Sequence, residues 1–177
     1  MITKGEYIVC GNKGVCMVED ITTVHMEGID SQKLYYLLKP ICSKTSTIYI
    51  AVNNEMPSMR KILTREEALS LIESLPTIGF LDITEERNGE AVYRESLHKN
   101  DIVELIKIIK TSYHRREDRI SQGRKVVAVD EKYNKMACEY LFGELSVSLD
   151  VDKQEIEKQV LDIIIMEYNK GHKQSEE

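Results

Sequence analysis

A run of basic residues near the middle of the chain is the feature whose residue types most directly suggest chemistry. Guanidinium groups match the geometry of phosphate oxygens, so the run is a candidate phosphate-binding surface. Cations at the end of a helix also stabilise its negative pole, and the sequence leaves both explanations open. Arg124 and Lys125 extend the run past Gly123, beyond the predicted helix end. The basic residues are Lys107, Lys110, Arg115, Arg116, Arg119, Arg124 and Lys125, opposed by Glu117 and Asp118.

The chain as a whole is acidic, with a formal net charge of −6. Affinity for nucleic acid depends on Lys and Arg neutralising phosphates, so this total argues against general nucleic-acid binding. Acidic residues dominate after Glu139, whereas the basic run lies before it. A local patch can still steer DNA to one surface, and the sequence confines any such contact to the basic run and its neighbours.

Residues suited to catalysis or metal binding are scattered rather than clustered. The four histidines lie far apart, no two cysteines form a CxxC motif, and phosphate-loop and nucleophile-elbow motifs are absent. The nearest glycine-rich candidate, Gly11-Asn-Lys-Gly14, joins two predicted strands and opens no helix. We therefore predict no catalytic, cofactor-binding or metal-binding residues, a chain that is not an enzyme, and four reduced, mostly buried cysteines.

The N-terminal third of the chain has the composition of short strands separated by turns. Strands are predicted over 6–10, 14–24, 33–40, 45–52 and 59–62. Five such strands predict a small bent sheet that closes on itself, as in an SH3-like or Tudor-like barrel. A strand at the edge of such a sheet can pair with a partner strand. Tyr35, Tyr36 and Tyr49 are candidates for such an interface or for the small core.

From Thr64 onward, apolar residues recur with helical spacing. Thr64-Arg-Glu-Glu67 is a capping box for a helix that Pro76 ends, and 79–88 is predicted as a linker. Further helices are predicted over 90–99, from an Asn100 cap to Gly123, over 130–149 and from Asp152 onward, with 171–177 as a frayed tail. The helix predicted after Asn100 has a clear apolar stripe, formed by Ile102, Leu105, Ile106, Ile109 and Tyr113.

These elements predict an α+β protein of two domains. Residues 1–62 are expected to form the SH3/Tudor-like β-barrel, and residues 63–177 an all-α helical domain. No stretch approaches the roughly 18 apolar residues of a membrane span. The first residues lack the apolar core of a signal peptide, so we expect a cytoplasmic protein.

The order and spacing of several segments resemble the CarD/CdnL family of transcription regulators over nearly the whole chain. These segments are Lys4-Gly-Glu-Tyr-Ile-Val9, Gly14-Val-Cys-Met-Val-Glu19, Tyr35-Tyr-Leu-Leu-Lys39 and Leu141-Phe-Gly-Glu-Leu145. The barrel is also similar to the polymerase-interacting domain of the transcription-repair coupling factor. The resemblance implies binding to the RNA polymerase β subunit through the barrel, with Ile48, Tyr49 and Ile50 on the contacting strand.

The resemblance further implies that the helical domain contacts promoter DNA just upstream of the −10 element and modulates open-complex stability without a cofactor. A protein that binds the open state better shifts the equilibrium by that difference alone. The alternative is a polymerase-binding module without appreciable DNA contact. The residues expected at the DNA are Arg87, Asn88, Arg115, Arg116, Arg119, Arg124, Lys125 and Lys132.

Three features depart from the family pattern. Many members carry a wedging tryptophan early in the helical domain, whereas this chain has no Trp and the matching window is Glu85-Glu-Arg-Asn88. Tyr49 stands where an arginine often faces the polymerase. The segment from Ser121 to Val129 is longer than usual, and its apolar run, residues 126–129, is expected to pack on the helical core.

Overall fold

The computed structural model describes residues 2–25, 30–43, 46–53 and 59–173. The chain divides into two compact units, Met1–Ile62 and Leu63–Glu177. The first contains the strands and the second contains the helices, so the predicted α+β class is confirmed. Part of the loop expected over 26–31, the start of the strand expected at Thr45 and the end of the expected tail lie outside the described residues.

The N-terminal unit is a five-stranded antiparallel sheet. Its strands are β1 (Tyr7–Cys10), β2 (Val15–Thr23), β3 (Leu34–Pro40), β4 (Ile48–Ala51) and β5 (Met59–Lys61). Their order is β4-β3-β2-β1-β5, with Ile8 opposite Cys16 and Tyr36 opposite Ile50. The register of β2 against β3 shifts between Val18 and Asp20, a bulge that bends long strands.

Period-two alternation places one face of the sheet in the core. The buried side chains are Ile8, Cys10, Cys16, Val18, Tyr36, Leu38 and Ile50. Gly11 and Gly14, which flank the turn between β1 and β2, have φ values of 43° and 68°, which glycine adopts without steric cost. The glycine pair therefore serves as a strand connection, as predicted.

The described residues of the C-terminal unit form five α-helices. They are α1 (Arg65–Ser74), α2 (Gly89–His98), α3 (Ile102–Ser121), α4 (Ala128–Leu149) and α5 (Lys153–Lys173), with 3₁₀ turns at Leu75–Thr77 and Glu86–Asn88. The Thr64–Glu67 capping box is present, since Thr64 Oγ1 accepts from Glu67 N and Glu67 accepts from Thr64 N. Within the described parts of the chain, no helix is long and apolar enough to cross a membrane.

Two expected helix boundaries were wrong. The α3 cap is Asp101, whose carboxylate accepts from Val103 N, whereas Asn100 lies before it with a left-handed φ of 53°. A carboxylate near the positive helix end is favoured by charge as well as by hydrogen bonding. The last helix does not end before Gly171, since α5 continues through it to Lys173.

The helical core lies between α3, α4 and α5. Its best-buried side chains include Ile106, Ile109, Phe142, Leu145 and Val160. Val129 packs against this cluster from the first turn of α4, as expected of the apolar run in this segment. Leu81 and Ile83 also pack against it, so the segment between α1 and α2 is anchored along its length.

Candidate functional site

The outer strand β4 presents both side-chain and main-chain binding groups. β4 stands at one end of the strand order, so it pairs with β3 along a single edge among the described residues. Tyr49 is 39% exposed, while Ile50 is buried and Ile48 packs against the core. An exposed strand edge with an aromatic side chain can accept an extended partner segment. Of the three residues expected at this interface, only Tyr49 can supply extensive side-chain contact.

Two of the expected DNA-contacting arginines, Arg115 and Arg119, form ion pairs in which the arginine side chain is mostly buried. Arg115 Nε donates to Asp130 Oδ2 at 3.0 Å, and Tyr93 Oη donates to the other carboxylate oxygen at 3.1 Å. Burial, together with the Asp130 carboxylate, raises the pKa of Tyr93. This cluster joins α2, α3 and α4, and it engages the Nε group of Arg115 in a contact within the domain.

Arg119 is similarly engaged. Its Nη2 lies 2.5 Å from Glu86 Oε1, and its side chain is only 19% exposed. Its Nε atom is buried and has no hydrogen-bond partner among the described residues, so the engagement of Arg119 is through Nη2. Glu86 belongs to the 3₁₀ turn before α2, so the pair ties that turn to α3. The side chain of Arg119 is therefore placed against its own domain.

The remaining basic residues are more accessible. Arg116 is half exposed, and its nearest acidic partner, Glu117, is 3.8 Å away. Arg124 and Lys125 are exposed in the loop between α3 and α4 and have no ion pair among the described residues. Lys132, on α4, is exposed and lies 3.3 Å from Glu90 of α2. These side chains could reach phosphates without breaking a buried contact.

The Glu86–Asn88 turn projects a strongly exposed arginine of the predicted set. The Arg87 side chain is 81% exposed, and its Nε donates to Glu85 Oε2 at 2.6 Å. Asn88 Nδ2 reaches the same oxygen at 3.4 Å. Glu85 therefore accepts one hydrogen bond from each of these two side chains, but the whole turn remains at the surface. The ion pairs Arg119–Glu86 and Lys132–Glu90 link this turn and α2 to the basic region.

Arg116 also lines a cleft of about 320 Å³ between α3, α4 and α5. Acidic Glu131, Glu139 and Glu157 line it as well, together with Lys135 and Lys153. Lys153 pairs with Glu139 at 2.7 Å. Because charges of both signs alternate around it, the cleft lacks the uniform positive potential that binds a phosphate backbone.

Lys110, predicted as part of the basic run, is a buried charge. Lys110 is fully buried, with Nζ 2.8 Å from Glu167 Oε1 and donating to the carbonyl oxygens of Leu75 and Ile78. It therefore leaves the basic surface and anchors α5 and the segment after α1. The spacing contains the signal, since Lys110 follows Ile106 by one helical turn and lies on its buried face.

Glu104 is a second buried charge that spacing alone does not reveal. Burial alone would raise the pKa of Glu104, but hydrogen bonds from Lys107, Ser96 and Lys99 together lower it to about 2. The cluster fixes the C-terminal end of α2 to the first turn of α3 and also removes Lys107 from the candidate surface.

Comparison with known families finds a match for the N-terminal unit. A family model described as the CarD-like/TRCF RID domain matches residues 2–63, which cover all five strands. A search of curated proteins finds no match to the chain. The family description indicates a module that interacts with RNA polymerase. The resemblance drawn from the sequence is thereby confirmed for the N-terminal unit, which is similar to the CarD-like/TRCF RID domain over residues 2–63.

Proposed function

We propose that this protein is a non-enzymatic regulator of bacterial transcription initiation. In this proposal its N-terminal unit binds the β subunit of RNA polymerase, and its helical unit contacts promoter DNA near the −10 element. A difference in affinity between open and closed promoter then changes the stability of the open complex. The observation that carries the proposal is the match of the strand-containing unit to an RNA polymerase-interacting domain.

The polymerase contact is assigned to β4. Its outer edge, which pairs with no other strand among the described residues, offers main-chain groups to an extended segment of the partner, and Tyr49 is exposed beside that edge. Aromatic side chains at the centre of an interface often contribute a large share of the binding free energy. Ile48 and Ile50 support the strand from the core side and contribute chiefly through the backbone.

The DNA contact is assigned to the accessible cations. Arg124, Lys125, Arg116 and Lys132 are exposed around the α3–α4 connection, and Arg87 projects from the turn that Arg119 ties to this region. Contacts of this kind bind phosphates and orient the protein without reading base sequence. Arg115 and Arg119 belong to the proposed site as supports, because their guanidinium groups are already paired.

A polymerase-binding module without appreciable DNA contact is the second candidate. The observation that favours it is the internal pairing of Arg115, Arg119 and Lys132, together with a net charge of −6. The two candidates differ in salt dependence, since each phosphate contact lowers the slope of log K against log salt by about 0.9.

The test has two arms with the full chain. Calorimetric titration into the isolated β-subunit lobe of the host polymerase should give micromolar or tighter binding (about 8 kcal/mol), and no heat of binding would refute the polymerase assignment. Fluorescence anisotropy with a mixed-sequence duplex should show affinity that falls steeply with salt. Replacing Arg124 and Lys125 together by Ala should make the slope of log K against log salt shallower by about 1.8. Flat salt dependence in the wild type would select the second candidate.

A further inference from the structure

The Arg119–Glu86 pair connects the buried side of α3 to an exposed turn that carries two expected DNA-contacting residues. The turn comprises Glu86–Asn88 and is followed directly by α2. Its main chain is closed by hydrogen bonds from Asn88 N to Glu85 O and from Gly89 N to Glu86 O. Glu86 Oε1 accepts from Arg119 at 2.5 Å, which joins this turn to a helix that begins after it in the chain.

The burial of Arg119 decides which of its two possible roles it plays. Its side chain is four-fifths covered and its Nε is buried, whereas Arg116 on the same helix is half exposed. A phosphate contact through Nη2 of Arg119 would have to break the pair with Glu86, which would leave that carboxylate without its cation. Glu86 itself is more than half exposed, so the pair lies at the surface of the domain with its cationic side turned inward.

We infer that Arg119 is a positioning residue: it acts through Glu86 to hold the Glu86–Asn88 turn so that Arg87 and Asn88 face the DNA, and makes no phosphate contact itself. This inference rests on the proposed DNA contact. It predicts the same effect for the loss of Arg119 and the loss of Glu86, two charges of opposite sign whose removal would act in opposite directions on a simple electrostatic surface. Removing the negative charge of Glu86 should weaken DNA binding, because the turn loses its tether, although fewer negative charges normally favour DNA.

The experiment compares Arg119→Gln and Glu86→Ala in the full chain, with the mixed-sequence duplex as probe and anisotropy as readout. Positioning predicts that each variant weakens binding by about threefold, the range of a partly exposed ion pair, with the salt slope unchanged. The double variant should bind like either single variant, because both remove one interaction. The matched control is Glu95→Ala on the exposed side of α2. Glu95 has no ion pair within the part of the chain that the structure describes, so the variant should leave binding unchanged or slightly tighter.

A direct phosphate contact by Arg119 would give a different pattern. Arg119→Gln would then make the slope of log K against log salt shallower by about 0.9, and Glu86→Ala would strengthen binding. Either result overturns the inference. Arg116→Gln shows the change in salt slope that a lost phosphate contact produces, since the Arg116 side chain is accessible.

A second readout separates this inference from the proposed function. Amide hydrogen exchange at Asn88 and Gly89 should accelerate in both Arg119→Gln and Glu86→Ala without a general increase across α4 and α5. Unchanged exchange at those two amides would refute positioning whether or not DNA binds. If the wild type fails to bind DNA while exchange at the turn accelerates as expected, the DNA proposal fails and the tether stands as a purely structural element.

Discussion

The free edge of β4 and the C-terminal half of α3 differ in how much of their binding capacity is left for a partner. On β4 the main chain is unpaired along one edge of the described sheet, and Tyr49 faces solvent. On α3 the cations that dominate the sequence are largely committed, Lys110 to Glu167, Arg115 to Asp130 and Arg119 to Glu86. A count of basic residues therefore overstates the phosphate-binding surface, whereas a strand edge is available by its position.

The largest effect should come from the charge that the domain buries most completely. Lys110→Ala leaves Glu167 without its cation and removes donors from two carbonyl oxygens, so we expect a loss of about 3–5 kcal/mol of stability. Chemical denaturation followed by the helical circular-dichroism signal measures it. Lys158→Ala, exposed on α5, is the control and should change stability by less than about 0.5 kcal/mol. Equal small effects would mean that Lys110 is not part of the interior.

The Glu104 cluster should make helical stability depend on pH. The pKa of Glu104 is lowered from 4.5 to about 2. The stabilising contribution of its carboxylate is therefore complete above pH 4.5 and is lost as the pH falls toward 2. The lost stability should be about 3 kcal/mol. Denaturation curves of the wild type and Glu104→Gln across this range measure it. The two proteins should converge at low pH, and parallel curves would contradict the assignment.

Arg115 and Arg116 are neighbours that should behave differently, which sharpens the contrast within α3. Arg115→Ala removes the cation that pairs with Asp130, a buried carboxylate that also accepts from Tyr93. We expect this variant to lose about 2 kcal/mol of stability. Arg116→Ala should leave stability nearly unchanged and reduce the salt slope of DNA binding. Thermal melts and anisotropy on both variants check this, and the reverse assignment of effects would exchange their roles.

Much of the fold could be predicted from the sequence, because strand alternation, the capping box and the apolar stripe of α3 are local patterns. The strands, the helix start at Thr64 and the order of the two units follow from such patterns. The partners of the basic residues could not be predicted. Whether Arg119 meets Glu86 or solvent depends on which helix faces pack together, and that is decided by residues far apart in the chain.

The cysteines show the same limit on a small scale. All four were expected to be mostly buried, which is wrong for Cys42, exposed just after β3, while Cys10 and Cys16 lie in the sheet core. Burial raises the pKa of Cys138 to about 12, which keeps its thiol protonated. Brief treatment of the native protein with iodoacetamide should therefore modify Cys42 first, as read by peptide mass spectrometry. First modification at Cys16 would contradict the packing of the sheet.

The most direct test of the central claim, that the β4 edge is the polymerase contact, is calorimetric titration of Tyr49→Ala into the β-subunit lobe. We expect affinity to fall by about tenfold or more, whereas Tyr7→Ala, a similarly exposed tyrosine on β1, should bind like the wild type. Wild-type affinity for Tyr49→Ala, or an equal loss in Tyr7→Ala, would contradict the claim and place the contact elsewhere on the domain.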